Sequence, residues 1–164
     1  MTKICVAVLL LTTFSALCLQ TFAQSCAVAS FTQPPVYPVG ADVRSVASAD
    51  FDGDGRPDLA VANADASTVT VLLKVGRGEP AIIATHPVGT FPLSVVAGDF
   101  TGDGKPDIVS ASNSSGTISL LRNNGSGAFE PAVTFNTVFA GQDMTAADFN
   151  NNGALDIAMP AVPQ

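Results

Sequence analysis

The stretch DFDGDGRPDLAVA, residues 50–62, contains four aspartates within nine positions and runs directly into an apolar segment. The four are Asp50, Asp52, Asp54 and Asp58. Carboxylates about 5 Å apart repel each other by roughly 1 kcal/mol in water and by roughly 3 kcal/mol at the effective dielectric near a protein surface. A chain that keeps these four groups together therefore needs a compensating positive charge.

The same pattern returns twice at a constant spacing. DFTGDGKPDIVSA begins at residue 99 and DFNNNGALDIAMP at residue 148, so the three segments begin 49 residues apart both times. The flanking segments keep this register, because YPVG at 37 matches HPVG at 86, and STVTVLL at 67 matches GTISLLR at 116. A period of this length is typical of stacked or radially arranged supersecondary units.

Within each repeat the hydrophobic pattern is that of β-strands. Polar and apolar residues alternate in 68–71 and 117–120, which predicts strands with one solvated face. Short apolar runs at 59–62, 81–85, 108–109 and 132–135 predict further strands, and turn-rich clusters separate them. Together with a strand that ends at Asp50 in the first repeat, this makes four strands per 49 residues, which is the size of a propeller blade. We predict an all-β fold, a partial β-propeller with two complete four-stranded blades and a third, incomplete one.

The N-terminus has the features of a secretory signal peptide. Lys3 precedes an apolar run from residue 4 to 19, and a small residue, Ala23, suits cleavage. A retained N-terminal anchor is the alternative. The predicted organisation is a signal peptide at 1–23, a leader at 24–36, repeats at 37–85 and 86–134, and a partial repeat at 135–164.

Charge and cysteine content limit the partners and the location. The net charge of −7 and a pI of about 4.3 argue against binding to nucleic acid or to an anionic membrane surface. Signal removal would leave Cys26 as the only cysteine, so no internal disulfide is expected. We expect a secreted, extracellular protein without a membrane span after signal removal. The alternative is cell-surface attachment through a lipid on Cys26.

The acidic stretch has the composition of a calcium loop. In a straight strand its first three aspartates would spread over roughly 13 Å, whereas calcium ligands lie about 2.3–2.6 Å from the ion. The backbone must curl, and Gly53 and Gly55 permit the positive φ angles that this requires. Asp58 can then close the site, and the Arg56 carbonyl is a candidate fifth ligand. Ligation by oxygen alone favours Ca²⁺ over Zn²⁺.

Two other interpretations of the acidic stretch, an EF-hand and a plain hairpin turn, fit its residues less well than the calcium loop described above. An EF-hand begins in the same way but needs a Glu at position 12 and flanking helices, and position 12 here is Val61 in a predicted strand. A plain Asp-Gly hairpin turn needs one or two such residues. It does not account for four acids in a pattern that recurs at a fixed period.

The repeats resemble FG-GAP repeats, also called VCBS repeats, which form the blades of integrin alpha-chain propellers and occur in many bacterial secreted proteins. The motif D-x-D-x-D-G-x-x-D at 50–58 carries the resemblance, and NNGSGAFEPAVTF at 123–135 resembles the family's signature between blades. The resemblance covers residues 37–164 and implies calcium binding by the acidic loops. The predicted ligands are Asp50, Asp52, Asp54, Arg56 and Asp58 in the first loop, Asp99, Thr101, Asp103, Lys105 and Asp107 in the second, and Asp148, Asn150, Asn152, Ala154 and Asp156 in the third.

The three loops differ in formal ligand charge. Thr101 replaces an aspartate in the second loop, and Asn150 and Asn152 replace two in the third, so the charge falls from −4 to −3 to −2. Calcium affinity depends on this charge. The first loop is therefore predicted to bind calcium most tightly and the third most weakly.

The resemblance implies a secreted calcium-binding repeat module that binds extracellular protein or glycan, or serves in adhesion or as a scaffold. The alternative is a non-catalytic accessory part of a larger extracellular lyase or hydrolase. We do not expect an enzyme, because the only histidine, His86, lies where the first repeat has Tyr37 and is better accounted for by packing. Further blades, from a longer chain or from an oligomer, are expected to close the ring. Of these two sources we favour the longer chain.

Overall fold

The computed structural model describes residues 36–74, 82–137 and 142–160, and this part of the chain contains ten β-strands and no helix. The predicted signal peptide and Cys26 lie outside the described residues. No described segment forms an apolar helix long enough to cross a membrane. The strands are β1 (Val43–Ala49), β2 (Asp58–Asn63), β3 (Thr68–Leu73), β4 (Ile82–Pro87), β5 (Pro92–Gly98), β6 (Asp107–Ser112), β7 (Thr117–Leu121), β8 (Val133–Asn136), β9 (Thr145–Ala147) and β10 (Asp156–Ala158).

The strands form two complete antiparallel sheets and the beginning of a third. The sheet orders are β1-β2-β3-β4, β5-β6-β7-β8 and β10-β9. Pairing repeats at the sequence period, since Ala49 pairs with Asp58 and Gly98 with Asp107, and the same register shift occurs near the start of β1 and of β5. The predicted repeat boundaries at 85/86 and 134/135 fall within β4 and β8, and the two complete sheets span Val43–Pro87 and Pro92–Asn136.

Consecutive sheets face each other around a common centre, as blades of a propeller do. The first strands lie side by side, β1 next to β5 and β5 next to β9. One hydrogen bond recurs between them: the Val95 amide donates to the Ser45 hydroxyl at 3.2 Å, and the Met144 amide donates to the Ser94 hydroxyl at 3.2 Å. The prediction of an all-β, incomplete propeller is confirmed. Each four-stranded sheet is called a blade below.

The largest core lies between the first two blades. Its buried members include Phe51, Val69 and Val71 from the first blade and Ile108 and Leu121 from the second. A smaller apolar cluster lies between the second blade and the partial third unit. Most residues of β2, β3 and β6 are buried.

The prediction that β3 and β7 have a solvated face is wrong. Thr70 in β3 and Ser119 in β7 are both buried, although each was expected on a solvated face. Their hydroxyl groups find partners inside the protein: Thr70 bonds to Thr85, and Ser119 to Thr134. The alternation thus separates two buried faces, of which one carries hydroxyl groups.

Candidate metal centre

All three acidic loops occupy the same place in the fold. Each connects the first strand of a sheet to the second, so that Asp50 follows β1, Asp99 follows β5 and Asp148 follows β9. The last aspartate of each loop is the first residue of the second strand: Asp58 in β2, Asp107 in β6 and Asp156 in β10. The antiparallel pairing therefore places the two ends of every loop opposite each other.

The first aspartate of the first loop organises the backbone. One oxygen of Asp50 accepts hydrogen bonds from the amides of Gly53 (2.8 Å) and Asp54 (3.1 Å), and its other oxygen accepts one from Gly55 (2.7 Å). The predicted curl is present, because φ is 75° at Gly53 and 81° at Gly55. These values lie in the left-handed region, where glycine has no Cβ to clash with the backbone.

The second and third loops repeat this arrangement. Asp99 accepts hydrogen bonds from the amides of Gly102, Asp103 and Gly104, at 2.7–3.1 Å. Asp148 accepts them from Asn152 (3.0 Å) and Gly153 (2.8 Å). The third loop has Asn151 where the others have their first glycine, and it adopts a φ of 58°, which asparagine tolerates better than most residues.

The first loop brings three carboxylates into one group. Oxygens of Asp50, Asp52 and Asp58, one from each, all lie within 4.8 Å of one another. Calcium ligands about 2.3–2.6 Å from a common ion are separated by at most about 5 Å, so the three oxygens fit one calcium ion. Among the His, Cys, Asp and Glu side chains of residues 36–74, 82–137 and 142–160, no other such group is found.

Asp58 is the buried member of this group, and each of its two oxygens accepts a hydrogen bond from a backbone amide. One oxygen accepts the Phe51 amide and the other the Lys74 amide, both at 3.0 Å. Burial raises the pKa of the Asp58 carboxyl, and the negative charge of Asp52 adds to this, while the two amide bonds oppose it. A cation beside Asp52 and Asp58 would offset both unfavourable effects.

Other predicted ligands of the first two loops lie outside this group. Asp54 accepts the Arg56 amide at 3.1 Å. In the second loop Asp103 accepts the Lys105 amide at 3.0 Å, and the Lys105 ammonium lies 3.3 Å from the same carboxylate. The amide bond is the main cause of the lowered pKa of Asp103, and the ammonium contributes. A cation in the second loop would compete with Lys105 for this carboxylate.

The third loop has an amide where the first has a carboxylate. The Asn150 Nδ2 donates to Asp156 at 2.9 Å, and the Phe149 amide donates to the same oxygen at 3.1 Å. Amide bonds, that of Gly153 first, lower the pKa of Asp148. An ion in this loop would require the Asn150 side chain to present its oxygen instead of its nitrogen.

Asn123 belongs to the site, although the sequence pattern did not indicate it. This residue follows β7 and is buried, and its side chain donates to the carbonyls of Phe51 (2.9 Å) and Pro106 (3.0 Å), one in each of the first two acidic loops. A comparison of the repeats would have drawn attention to it, since the first repeat has Lys74 at the same position. Spacing alone could not show that its side chain reaches the previous blade.

His86 lies between the first two blades. Its ring packs edge-on against Phe129, with centroids 5.5 Å apart. Within the described residues its Nε2 is buried without a hydrogen-bond partner, and burial lowers the pKa of the imidazole. These contacts agree with a role in packing.

We expect His86 to make the protein less stable in mild acid. Because its folded pKa lies below the unfolded value of about 6.5, its full contribution is present above that pH and is lost as the pH falls towards the folded pKa. Denaturant midpoints measured in chelator at about pH 7.5 and about pH 5.5 should fall more in the wild type than in His86→Tyr. Tyrosine is the residue of the first repeat at this position. An equal decrease in both proteins would contradict the assignment to His86.

Comparison with known families identifies the repeats. The sequence profile of the FG-GAP-like repeat matches residues 50–110 and 99–159. Each match begins at one acidic loop and extends to the strand that follows the next acidic loop. A search of curated proteins finds no match to this chain.

Proposed function

Since the chain belongs to the FG-GAP-like repeat family, we propose that it is a secreted β-propeller module stabilised by calcium. FG-GAP-like repeats are in general non-catalytic extracellular repeat or binding modules. The group of Asp50, Asp52 and Asp58 oxygens within 4.8 Å carries the calcium part of the proposal. Bound calcium would supply positive charge that holds the first two strands of a blade together at the loop.

In this proposal the first loop binds calcium through carboxylates, and the second and third use more neutral oxygens. Asp58 closes the first site from β2, and the carbonyl of Arg56 remains a candidate ligand. In the second loop the corresponding residues are Asp99, Thr101, Asp103 and Asp107, and in the third they are Asp148, Asn150, Asn152 and Asp156. Lys105 and Ala154 would contribute only their carbonyls.

The partners that we propose are further blades and an extracellular protein or glycan. Val46 is 60% exposed, whereas the residues at the same position of the next two units, Val95 and Met144, are only 4% and 7% exposed. The difference supports packing of another blade, from a longer chain or another copy, against the first. The loops of such a ring would then bind the protein or glycan partner.

The alternative is an accessory role beside a lyase or hydrolase. In that case the module would be part of a larger enzyme, but it would itself still be non-catalytic. Paired carboxylates suited to glycoside hydrolysis occur here in the calcium loops, where the proposed ion would engage them. Glycosidase and lyase assays on this chain should give no turnover. Activity of this chain alone would contradict the proposal that it is not an enzyme.

Calorimetric titration with calcium chloride tests the proposed function directly. The chain, purified in chelator and dialysed, is expected to bind calcium in more than one step, with the tightest step at the first loop. Asp52→Asn should weaken that tightest step, because it removes one ligand charge. Absence of calcium binding, or an Asp52→Asn titration identical to the wild type, would contradict the assignment.

We expect Asn150→Asp to strengthen the weakest step. The substitution restores one ligand charge and removes the amide nitrogen that donates to Asp156, so the calcium affinity of the third loop should rise by at least about tenfold. Asn136→Asp, an exposed change at the end of β8, controls for the added charge. If both variants change the titration equally, the effect is one of net charge and not of ligation.

A further inference from the structure

The side chain of Asn123 connects the first two acidic loops. Its Nδ2 donates to the Phe51 carbonyl (2.9 Å) and to the Pro106 carbonyl (3.0 Å), and its Oδ1 accepts the Gly125 amide (2.9 Å). Both side-chain hydrogens and the oxygen are thus used, and this pattern determines the orientation of the amide. Few other side chains could satisfy two carbonyls and an amide from one buried position.

Both ends of this connection reach a predicted calcium ligand. Phe51, whose carbonyl Asn123 binds, donates its own amide to Asp58 at 3.0 Å. The backbone amide of Asn123 donates to the Asp107 carboxylate at 2.9 Å. A continuous set of hydrogen bonds therefore runs from Asp58 through Phe51 and Asn123 to Asp107, the closing aspartates of the first and second loops.

Two close contacts between the blades lie beside this set of hydrogen bonds. The rings of Phe51 and Phe129 meet edge-on, with centroids 5.4 Å apart. A Cβ added to Gly127 would lie 2.4 Å from the Leu73 side chain and 3.3 Å from the Asp52 Cβ. At Gly127 the segment 123–129 of the second blade is therefore in close contact with the first loop and the end of β3, so a movement of one is transmitted to the other.

We propose that the first and second calcium sites are coupled through Asn123, so that occupancy of one raises the calcium affinity of the other. The proposal rests on the proposed function. An ion that fixes one loop also fixes the carbonyl to which Asn123 is bonded, and the other loop then loses less conformational freedom when its own ion binds. Such coupling is reciprocal, and values of about fivefold or more are typical. Asn123 acts as a positioning residue and is not itself a ligand.

A double-mutant cycle measures this coupling in the full chain. Asp99→Ala removes the carboxylate that organises the second loop, and Asn123→Ala removes the connection. Calcium affinity of the first loop is measured by calorimetry, with calcium chloride, in the wild type, both single variants and the double variant. Asp99→Ala should weaken the first site about fivefold or more when Asn123 is present and should have no effect when it is absent. Asn124→Ala changes an exposed neighbour whose side chain, within the described part of the chain, bonds only to Ser126, and it should leave the coupling intact.

The outcomes are distinguishable. If Asp99→Ala changes the first site equally with and without Asn123, or not at all, the coupling is overturned while calcium binding stands. If the wild type binds no calcium, the proposed function fails and the coupling fails with it. If Asn123→Ala does not fold, hydrogen exchange decides with Asp50→Ala, which disables the first loop and leaves the second able to bind calcium. Calcium should then slow exchange of the Phe51 amide, and an unchanged rate would overturn the coupling.

Discussion

Removal of calcium with a chelator is expected to lower the melting temperature of this protein by about 10 °C. The first loop holds oxygens of Asp50, Asp52 and Asp58 within 4.8 Å of one another, and one of these carboxylates is buried. Without an ion, their repulsion and the burial of Asp58 both act against the native loop. When calcium is present it binds the folded state and not the unfolded state, and this raises the free energy of unfolding.

The size of the effect follows from mass action. Calcium at about a hundred times its Kd contributes about 2.7 kcal/mol at one site, and for a domain of this size each kcal/mol shifts the melting temperature by about 4 °C. Circular dichroism melts in chelator and in millimolar calcium measure the difference. Magnesium at the same concentration is the control and should stabilise less, because it demands a tighter octahedral site. Equal melting temperatures in chelator and calcium, with no ion retained, would contradict calcium stabilisation.

Asp58→Ala is expected to destabilise the protein by about 3 kcal/mol even in chelator. The substitution removes the two acceptors for the amides of Phe51 and Lys74, at a position where the carboxylate is fully buried. A buried amide without a partner costs about 1–3 kcal/mol, part of which entering water can restore. Asp58→Ala should therefore lower the free energy of unfolding in two ways, through the missing hydrogen bonds and through weaker calcium binding.

Urea unfolding of Asp58→Ala, in chelator and in calcium, separates the two roles of this carboxylate. In chelator the variant should already be less stable, and calcium should raise its midpoint by less than it raises that of the wild type. Asp58→Asn keeps one acceptor oxygen and should lose less stability in chelator than Asp58→Ala. Asp65→Ala, in an exposed turn of the same blade, is the control and should change little. A wild-type midpoint for Asp58→Ala in chelator would show that the two amide bonds do not contribute.

The positions of the strands and loops could be predicted because they depend on local chemistry. Apolar runs formed strands, and turn-rich clusters separated them. Gly53 and Gly55 adopt the predicted positive φ. The 49-residue period predicted equivalent sheets, and the pairing of Ala49 with Asp58 and Gly98 with Asp107 repeats at that period.

Other features could not be predicted because they arise where two blades meet. Thr70 and Ser119 were expected to face water, but both are buried inside the protein, so the alternation indicated only which residues share a face. Asn123 is an ordinary polar residue of a turn-rich segment in the sequence. Its importance depends on the carbonyl of Phe51, a residue 72 positions earlier, and no local pattern encodes that contact.

The candidate site divides in the same way. Which residues are candidates to bind an ion depends on residue type and spacing, and these predict a set of candidates in each of the three loops. Which of them gather around one point was decided by the tertiary structure, because strand pairing brings Asp58 back beside Asp50 and Asp52 while Asp54 stays outside the group. The repeat and the strands could thus be read from the sequence, since these follow from short-range chemistry, and the candidate ligands remain a prediction from it. The packing of one blade on the next determined burial and the connection between loops, since both depend on residues distant along the chain.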